Sequence, residues 1–165
     1  MLTGKVFKFG DNISTDLIAP GRLLHLRSNL PELARHTLED TDPTFVKRVK
    51  KGDFIVAGKN FGLGSSREHA PLIIKMSGVS AILTKSVARI FFRNAVNVGL
   101  PVLICDTDKI SDGDKLKVDL KKGEITDLTN KTKLYVNPMP DIMLRILEEG
   151  GLIPYIKKHK SFDIR

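Results

Sequence analysis

The chain has 165 residues, 27 Lys plus Arg against 19 Asp plus Glu, one Cys, no Trp and 41% hydrophobic residues. That composition excludes collagen, coiled coil and low-complexity disorder, and it fits one ordinary globular domain able to bury its own core. A lone Cys105 with four scattered histidines, His25, His36, His69 and His159, cannot build an internal disulfide, a zinc ribbon, a CxxC redox pair or an iron–sulfur cluster, so any metal chemistry has to come from a partner. The net charge of +8 is concentrated in residues 51–100, where 7 basic side chains face 2 acidic ones without a Lys/Arg run. This pattern favours a local field for a small anion over a long phosphate track, and it leaves most lysines a role in solubility.

In chain order, Gly4 to Phe9 alternates enough to predict a first strand, and Gly10 to Asp16 reads as a polar loop. Arg22 to Asn29 has no clear period. Pro31 opens a helix through Leu33, Ala34 and Leu38, and Asp42-Pro43 reads as an N-cap followed by Pro, starting a helix over 44–50. Asp53 to Ala57 is a compact apolar strand, followed by a glycine-punctuated loop over 58–64 and a helix that starts at the Ser65–His69 stretch and ends near Met76. Val79 to Thr84 is a strand, Ser86 to Val98 an amphipathic helix with Val87, Ile90, Phe91 and Val98 inward, and Pro101 to Cys105 another buried strand. This alternation predicts an α/β fold with a central sheet flanked by helices. A strand-rich extension follows: Leu116 to Leu120 and Glu124 to Leu128 around a Lys121-Lys122-Gly123 turn, then Leu134 to Val136. Asp141 N-caps a final helix to Glu149, Gly150-Gly151 stops it, and Lys157 to Lys160 reads as a solvated end. No repeat or linker divides the chain, and no segment has the length and apolarity of a signal peptide or membrane span, which predicts a cytoplasmic protein.

The strongest local feature is Gly58-Lys-Asn-Phe-Gly-Leu-Gly-Ser-Ser-Arg-Glu-His69, because it joins a strand to a helix where α/β sheets expose loops to ligand. A helix start stabilises negative charge, so a hydroxyl of Ser65 or Ser66 placed there ionises more easily, and Arg67 adds a planar fork suited to a carboxylate. Ser65-x-x-Glu68 also has the spacing of a capping box, in which both side chains satisfy helix-start N–H groups. Neither common phosphate-binding fingerprint fits. A hydrolytic triad of serine, His69 and Asp16 can be written, but the Gly-x-Ser-x-Gly elbow is absent, and a structural His and a turn-forming Asp are the plainer roles.

Gly62-Leu-Gly-Ser-Ser-Arg-Glu-His-Ala70, Asn12-Ile-Ser-Thr-Asp-Leu-Ile-Ala-Pro20, Ala88-Arg-Ile-Phe-Phe-Arg-Asn-Ala95 and Gly99-Leu-Pro101 together resemble the 3-isopropylmalate dehydratase small subunits. These are the free-standing equivalents of the aconitase swivelling domain, and the similarity runs nearly end to end, through Tyr155. The resemblance implies that residues 1–165 form a single swivelling β/β/α domain. It also implies a large subunit that carries a [4Fe-4S] cluster, with none bound by this chain, and a small carboxylic acid as substrate. Ser65 falls on the alkoxide base, Asp16 on the active-site acid, and Ser66 and Arg67 on positions that bind substrate oxygens. The family's specificity loop, usually Tyr-Leu followed by an apolar residue or by Arg, matches Leu23, Leu24 and His25, so Leu24 and His25 take the substrate-selecting places. His25 departs from both usual residues, and Arg27 could take over if the loop is shifted. The implied reaction is isomerisation of isopropylmalate by dehydration and rehydration, with homoaconitate, citramalate and dimethylmalate as alternative substrates. A non-catalytic RNA-binding module and a free-standing serine hydrolase are the other classes weighed; the first lacks an aromatic base-stacking platform.

Overall fold

Four parallel strands form one half of a seven-stranded sheet in the computed structural model, which describes residues 1–160. They are β1 (Leu2–Lys8), β2 (Phe54–Ala57), β3 (Ala81–Thr84) and β4 (Val102–Ile104). β5 (Lys115–Asp119), β6 (Glu124–Asp127) and β7 (Thr132–Tyr135) continue the sheet antiparallel from the free side of β1, giving the order β4-β3-β2-β1-β5-β6-β7. Parallel neighbours need crossovers, and helices supply them. α1 (Thr15–Ile18), a 3-10 helix (Gly21–Ser28), α2 (Leu30–Ala34) and α3 (Phe45–Arg48) connect β1 to β2. α4 (His69–Met76) connects β2 to β3, and α5 (Arg89–Asn97) connects β3 to β4. The predicted α/β fold, with helices flanking the sheet and a strand-rich extension, is what forms.

All residues of β2 and β3 are buried, as expected where a parallel sheet is covered on both faces. On one face Phe7, Ile55 and Ile82 pack with Phe45, Ile73 and Phe91 of the helices. On the other, Val6, Phe54, Val56 and Leu83 share a core with Leu116, Val118 and Ile125, so the antiparallel half closes over the parallel half. Cross-strand registers Phe54↔Ala81 and Val6↔Phe54 keep the two sets of side chains on their own faces.

Several elements differ from the sequence reading. The helix after Pro31 stops at Ala34, and Leu38 has a left-handed backbone (φ +59) while its side chain stays buried. Asp42 caps a turn, its Oδ1 accepting from Thr44 N at 2.9 Å, and α3 is only four residues long. Ile90, expected inward, is 51% exposed. The last predicted helix, α6 (Asp141–Glu148), is followed by α7 (Leu152–His159), which contains most of the expected solvated end. α7 forms because Tyr155 buries itself against Val96 and Ile146, and because the lysines of its last turn suit the negative end of a helix. Lys158 Nζ also reaches Glu149 at 2.7 Å.

Candidate active site

The loops that leave β1 and β2 at their carboxyl ends run side by side and continue the pairing of the strands. Asn12 N donates to Lys59 O (2.8 Å), Gly62 N to Ile13 O (2.7 Å) and Thr15 N to Leu63 O (2.9 Å). Side chains reinforce this: Asn60 Nδ2 donates to Asn12 Oδ1 and Lys59 N to Asp11 Oδ1. Gly62 is required here, since its φ is +74 and an added Cβ would lie 2.2 Å from the Phe91 ring. The zipped loops place Thr15 and Asp16, at the start of α1, beside Ser65, Ser66 and Arg67.

Arg67 is the centre of the cluster. Its Nε donates to Ser65 Oγ at 3.1 Å, Nη1 donates to Ala19 O at 3.0 Å, and Nη2 is paired with the Asp16 carboxylate. The Arg67 side chain is 18% exposed while that of Asp16 is 65% exposed, so the cation is recessed and its carboxylate faces out. A guanidinium has five N–H donors, and N–H groups on both terminal nitrogens remain for a ligand. Ser65 and Ser66 are exposed. The loop that holds them is anchored by buried Thr15, whose Oγ1 donates to Ser65 O at 3.2 Å.

The capping box does not form. α4 begins at His69, its N-cap position is Glu68 with no side-chain cap hydrogen bond, and Ser65 lies ahead of the helix. The field on the Ser65 hydroxyl therefore comes from Arg67 rather than from a helix terminus. The hydrolytic triad does not assemble either, because Asp16 pairs with Arg67 and no hydrogen bond joins His69 to a serine. His69 Nε2 is buried without a hydrogen-bond partner among the described residues. Burial, then the charges of Arg67 and Arg27, push its imidazole below the ordinary value, which keeps it neutral at neutral pH. Thr15 and Ala19 lay within the Asn12–Pro20 motif and His69 within the Gly62–Ala70 motif, but sequence reasoning gave Thr15 and the Ala19 carbonyl no role, and it read His69 as a structural residue or a triad member.

The 3-10 helix carrying Leu24 and His25 starts against this cluster. A Cβ at Gly21 would stand 3.5 Å from Asp16 Oδ1 and 3.8 Å from Arg67 Nη2. Leu23 and Leu26 pack on the core beneath, and Leu24 and His25 are left exposed beside the site. Arg22 is taken up by Glu39 and Asp40.

Among the described residues, no three His, Cys, Asp or Glu side chains converge on a point that could hold a metal ion. Burial, and then Asp106, push the Cys105 thiol up to about 11, the wrong direction for a thiolate ligand. The described residues therefore present no donor set of the kind that ligates a cluster.

The model of the aconitase C-terminal domain family matches residues 9–107. The chain is 61% identical to 3-isopropylmalate dehydratase small subunit 2 of Archaeoglobus fulgidus over 163 residues, covering 99% of each. It is 59% identical to small subunit 1 of Thermotoga maritima, covering 98% of each. The chain belongs to the 3-isopropylmalate dehydratase small subunits of the aconitase family. A crystal structure of 3-isopropylmalate dehydratase from Methanocaldococcus jannaschii agrees in fold, with a TM-score of 0.90 at 46% identity over 96% of this chain and 95% of that one. The family-model span, residues 9–107, takes in both zipped loops, the 3-10 helix and α5, and ends before the antiparallel strands. Membership of this family makes the chain a hydro-lyase subunit, and the name small subunit implies a large-subunit partner. No helix among the described residues is long and apolar enough to cross a membrane.

Proposed function

We propose that this single swivelling domain closes over a cluster-bearing large subunit in the cytoplasm, and that together they interconvert 2- and 3-isopropylmalate in leucine biosynthesis. The observation that carries the proposal is the Arg67 guanidinium holding Ser65 Oγ, Asp16 and the Ala19 carbonyl in one network.

Ser65 is the base. An N–H of a permanent cation directed at its hydroxyl oxygen favours the alkoxide, which takes the proton from the substrate carbon. The C–O bond on the adjacent carbon breaks with its electron pair going to oxygen, and the departing hydroxide takes one proton from solvent to leave as water. Rehydration in the opposite sense, with Ser65 returning the proton, moves the hydroxyl by one carbon without redox change. The remaining Arg67 N–H groups and the Ser66 hydroxyl bind the substrate carboxylate as negative charge builds on it. Asp16, solvent-facing and tied to Arg67, holds that cation in place and is the active-site acid. A [4Fe-4S] cluster on the large subunit supplies Lewis-acid activation of the substrate hydroxyl when bound. Leu24 and His25, exposed beside the network, face the part of the substrate that varies between alkylmalates.

Changing Ser65 to Ala in the reconstituted two-subunit enzyme is expected to lower kcat about 10²- to 10⁴-fold, with KM nearly unchanged and unaltered folding, because the side chain is exposed. Arg67→Lys, which loses the planar fork, is expected to raise KM as well as lower kcat. Full activity of the Ser65→Ala complex would refute the assignment of the base. Steady-state assays on isopropylmalate, citramalate and homoaconitate test the substrate class.

A further inference from the structure

We infer that an apolar groove beside the catalytic edge receives the cluster-bearing subunit, through an apolar segment of that subunit flanked by carboxylates. The inference rests on the small-subunit reading above and adds the place and chemistry of docking.

The groove lies between α5, the edge strand β4 and α6. Phe92, Val96, Ile104 and Met143 line a cavity of about 520 Å³ together with Arg89 and Arg93. A second cavity, of about 310 Å³, shares Phe92, Ile104 and Met143 and runs on to Met139. β4 ends the sheet, and among the described residues no strand pairs with its outer edge. On that strand Val102 and Leu103 are 2% and 3% exposed, whereas Ile104 is 54% exposed. Proteins usually blunt an open sheet edge with charge or cover it; here a large apolar side chain marks it, which is the pattern of a surface that is covered on association.

Charge selects the kind of cover. Arg89 and Arg93, one turn apart on α5, are exposed and have no ion pair or hydrogen bond among the described residues. Arg22, Arg48 and Arg67, by contrast, are each matched by a carboxylate. Two unmatched guanidinium groups on an apolar rim favour a segment that brings carboxylates to either side of an apolar anchor.

Position selects the partner. Val87, also in the groove wall, forms a parallel bridge with Phe61, and Ala88 N donates to Phe61 O at 2.9 Å. The groove therefore starts at the loop that carries Ser65. A group that must meet substrate at Ser65 has to be delivered by a partner seated on this edge, and the groove is the apolar surface continuous with it.

The test is calorimetric titration of the full chain with the cluster-loaded large dehydratase subunit of the same organism, with isomerisation measured in parallel. Ile104→Asp and the double change Arg89→Glu with Arg93→Glu are each expected to weaken Kd about 10- to 100-fold. Saturating large subunit should restore the wild-type kcat, and Lys117→Glu on β5 should bind like wild type. Circular dichroism checks folding, and the arginine pair provides an independent arm if Ile104→Asp is unstable. Unchanged Kd in both groove variants, with an active wild-type complex, overturns the docking site and leaves the enzymatic reading intact. Dissolution of a homodimer by Ile104→Asp, with no change in large-subunit affinity, would overturn it in favour of a second copy. A wild-type chain that binds no large subunit and gives no activity refutes the enzymatic reading itself.

Discussion

Arg67 shows how much of a site a motif can encode and where it stops. Gly-Ser-Ser-Arg and Thr-Asp made Ser65, Ser66, Arg67 and Asp16 candidates, their roles implied by family resemblance, and the structure brings Ser65, Arg67 and Asp16 into contact. What spacing could not show was the direction of the bonds. The same Ser65-x-x-Glu68 pattern fits a helix cap, and only the tertiary pull of Asp16 and Ala19 on Arg67, from about 50 residues away, decides against it. His69 was equally opaque, because its neutral state depends on burial and on two cations brought near it by folding. Its folded pKa lies below the ordinary 6.5, so the unfolded chain takes up a proton first as pH falls, and stability is lost from 6.5 downward to the folded value. Melting temperatures measured between pH 7 and pH 5, in steps of about half a unit, should fall less in a His69→Gln chain than in wild type. Parallel curves would show that His69 does not titrate on unfolding.

Elements with one strong local signal were readable, and those decided by packing were not. β2 and β3 stood out as apolar runs, and the β5–β6 hairpin followed from its Lys-Lys-Gly turn. α7 was missed because Gly150-Gly151 ends one helix and equally allows the chain to turn into another; what makes α7 is the seat for Tyr155 on α5 and α6. The turn after β6 also owes its form to tertiary contact. Burial pushes the Asp127 carboxyl up, but hydrogen bonds from the Asn130 side chain and backbone and from Thr129 N outweigh it, and the net pKa is below 3.8. That stabilisation is complete above the unfolded value and disappears as pH falls through the folded one. Asn130 Nδ2 donates to Asp127 Oδ2 at 2.8 Å and to Asp114 Oδ2 at 3.0 Å, serving two buried carboxylates at once. Asn130→Ala is therefore expected to cost about 1–3 kcal/mol at neutral pH. In urea titrations its midpoint should converge on that of wild type in strong acid.

For the whole molecule, composition predicted a chain that needs no disulfide, and the alternation of strands and helices predicted an α/β fold with a strand-rich extension. It did not show that β5 would pair with β1 and fold the second half over the first, because that choice rests on Leu116, Val118 and Ile125 finding Val6, Phe54 and Val56. The surplus of cations in residues 51–100 lies on the same stretch as the site loop and the α5 arginines. Raised salt should slow association with the large subunit by screening that field, and stopped-flow mixing at two ionic strengths will show it. The isolated chain should give no isomerisation at either.

The loops that carry Asp16 and Ser65 are exposed, yet Gly62 N and Thr15 N each donate to the facing loop's backbone, as amides do in the strands below. Deuterium labelling should therefore find these two amides exchanging only when the domain opens as a whole, alongside those of β1 and β2 and far slower than the neighbouring surface. The aim of Ser65, the proposed base, is then a property of strand register: whatever shifts β1 against β2 moves Ser65 away from Asp16, and whatever leaves them paired keeps the two together.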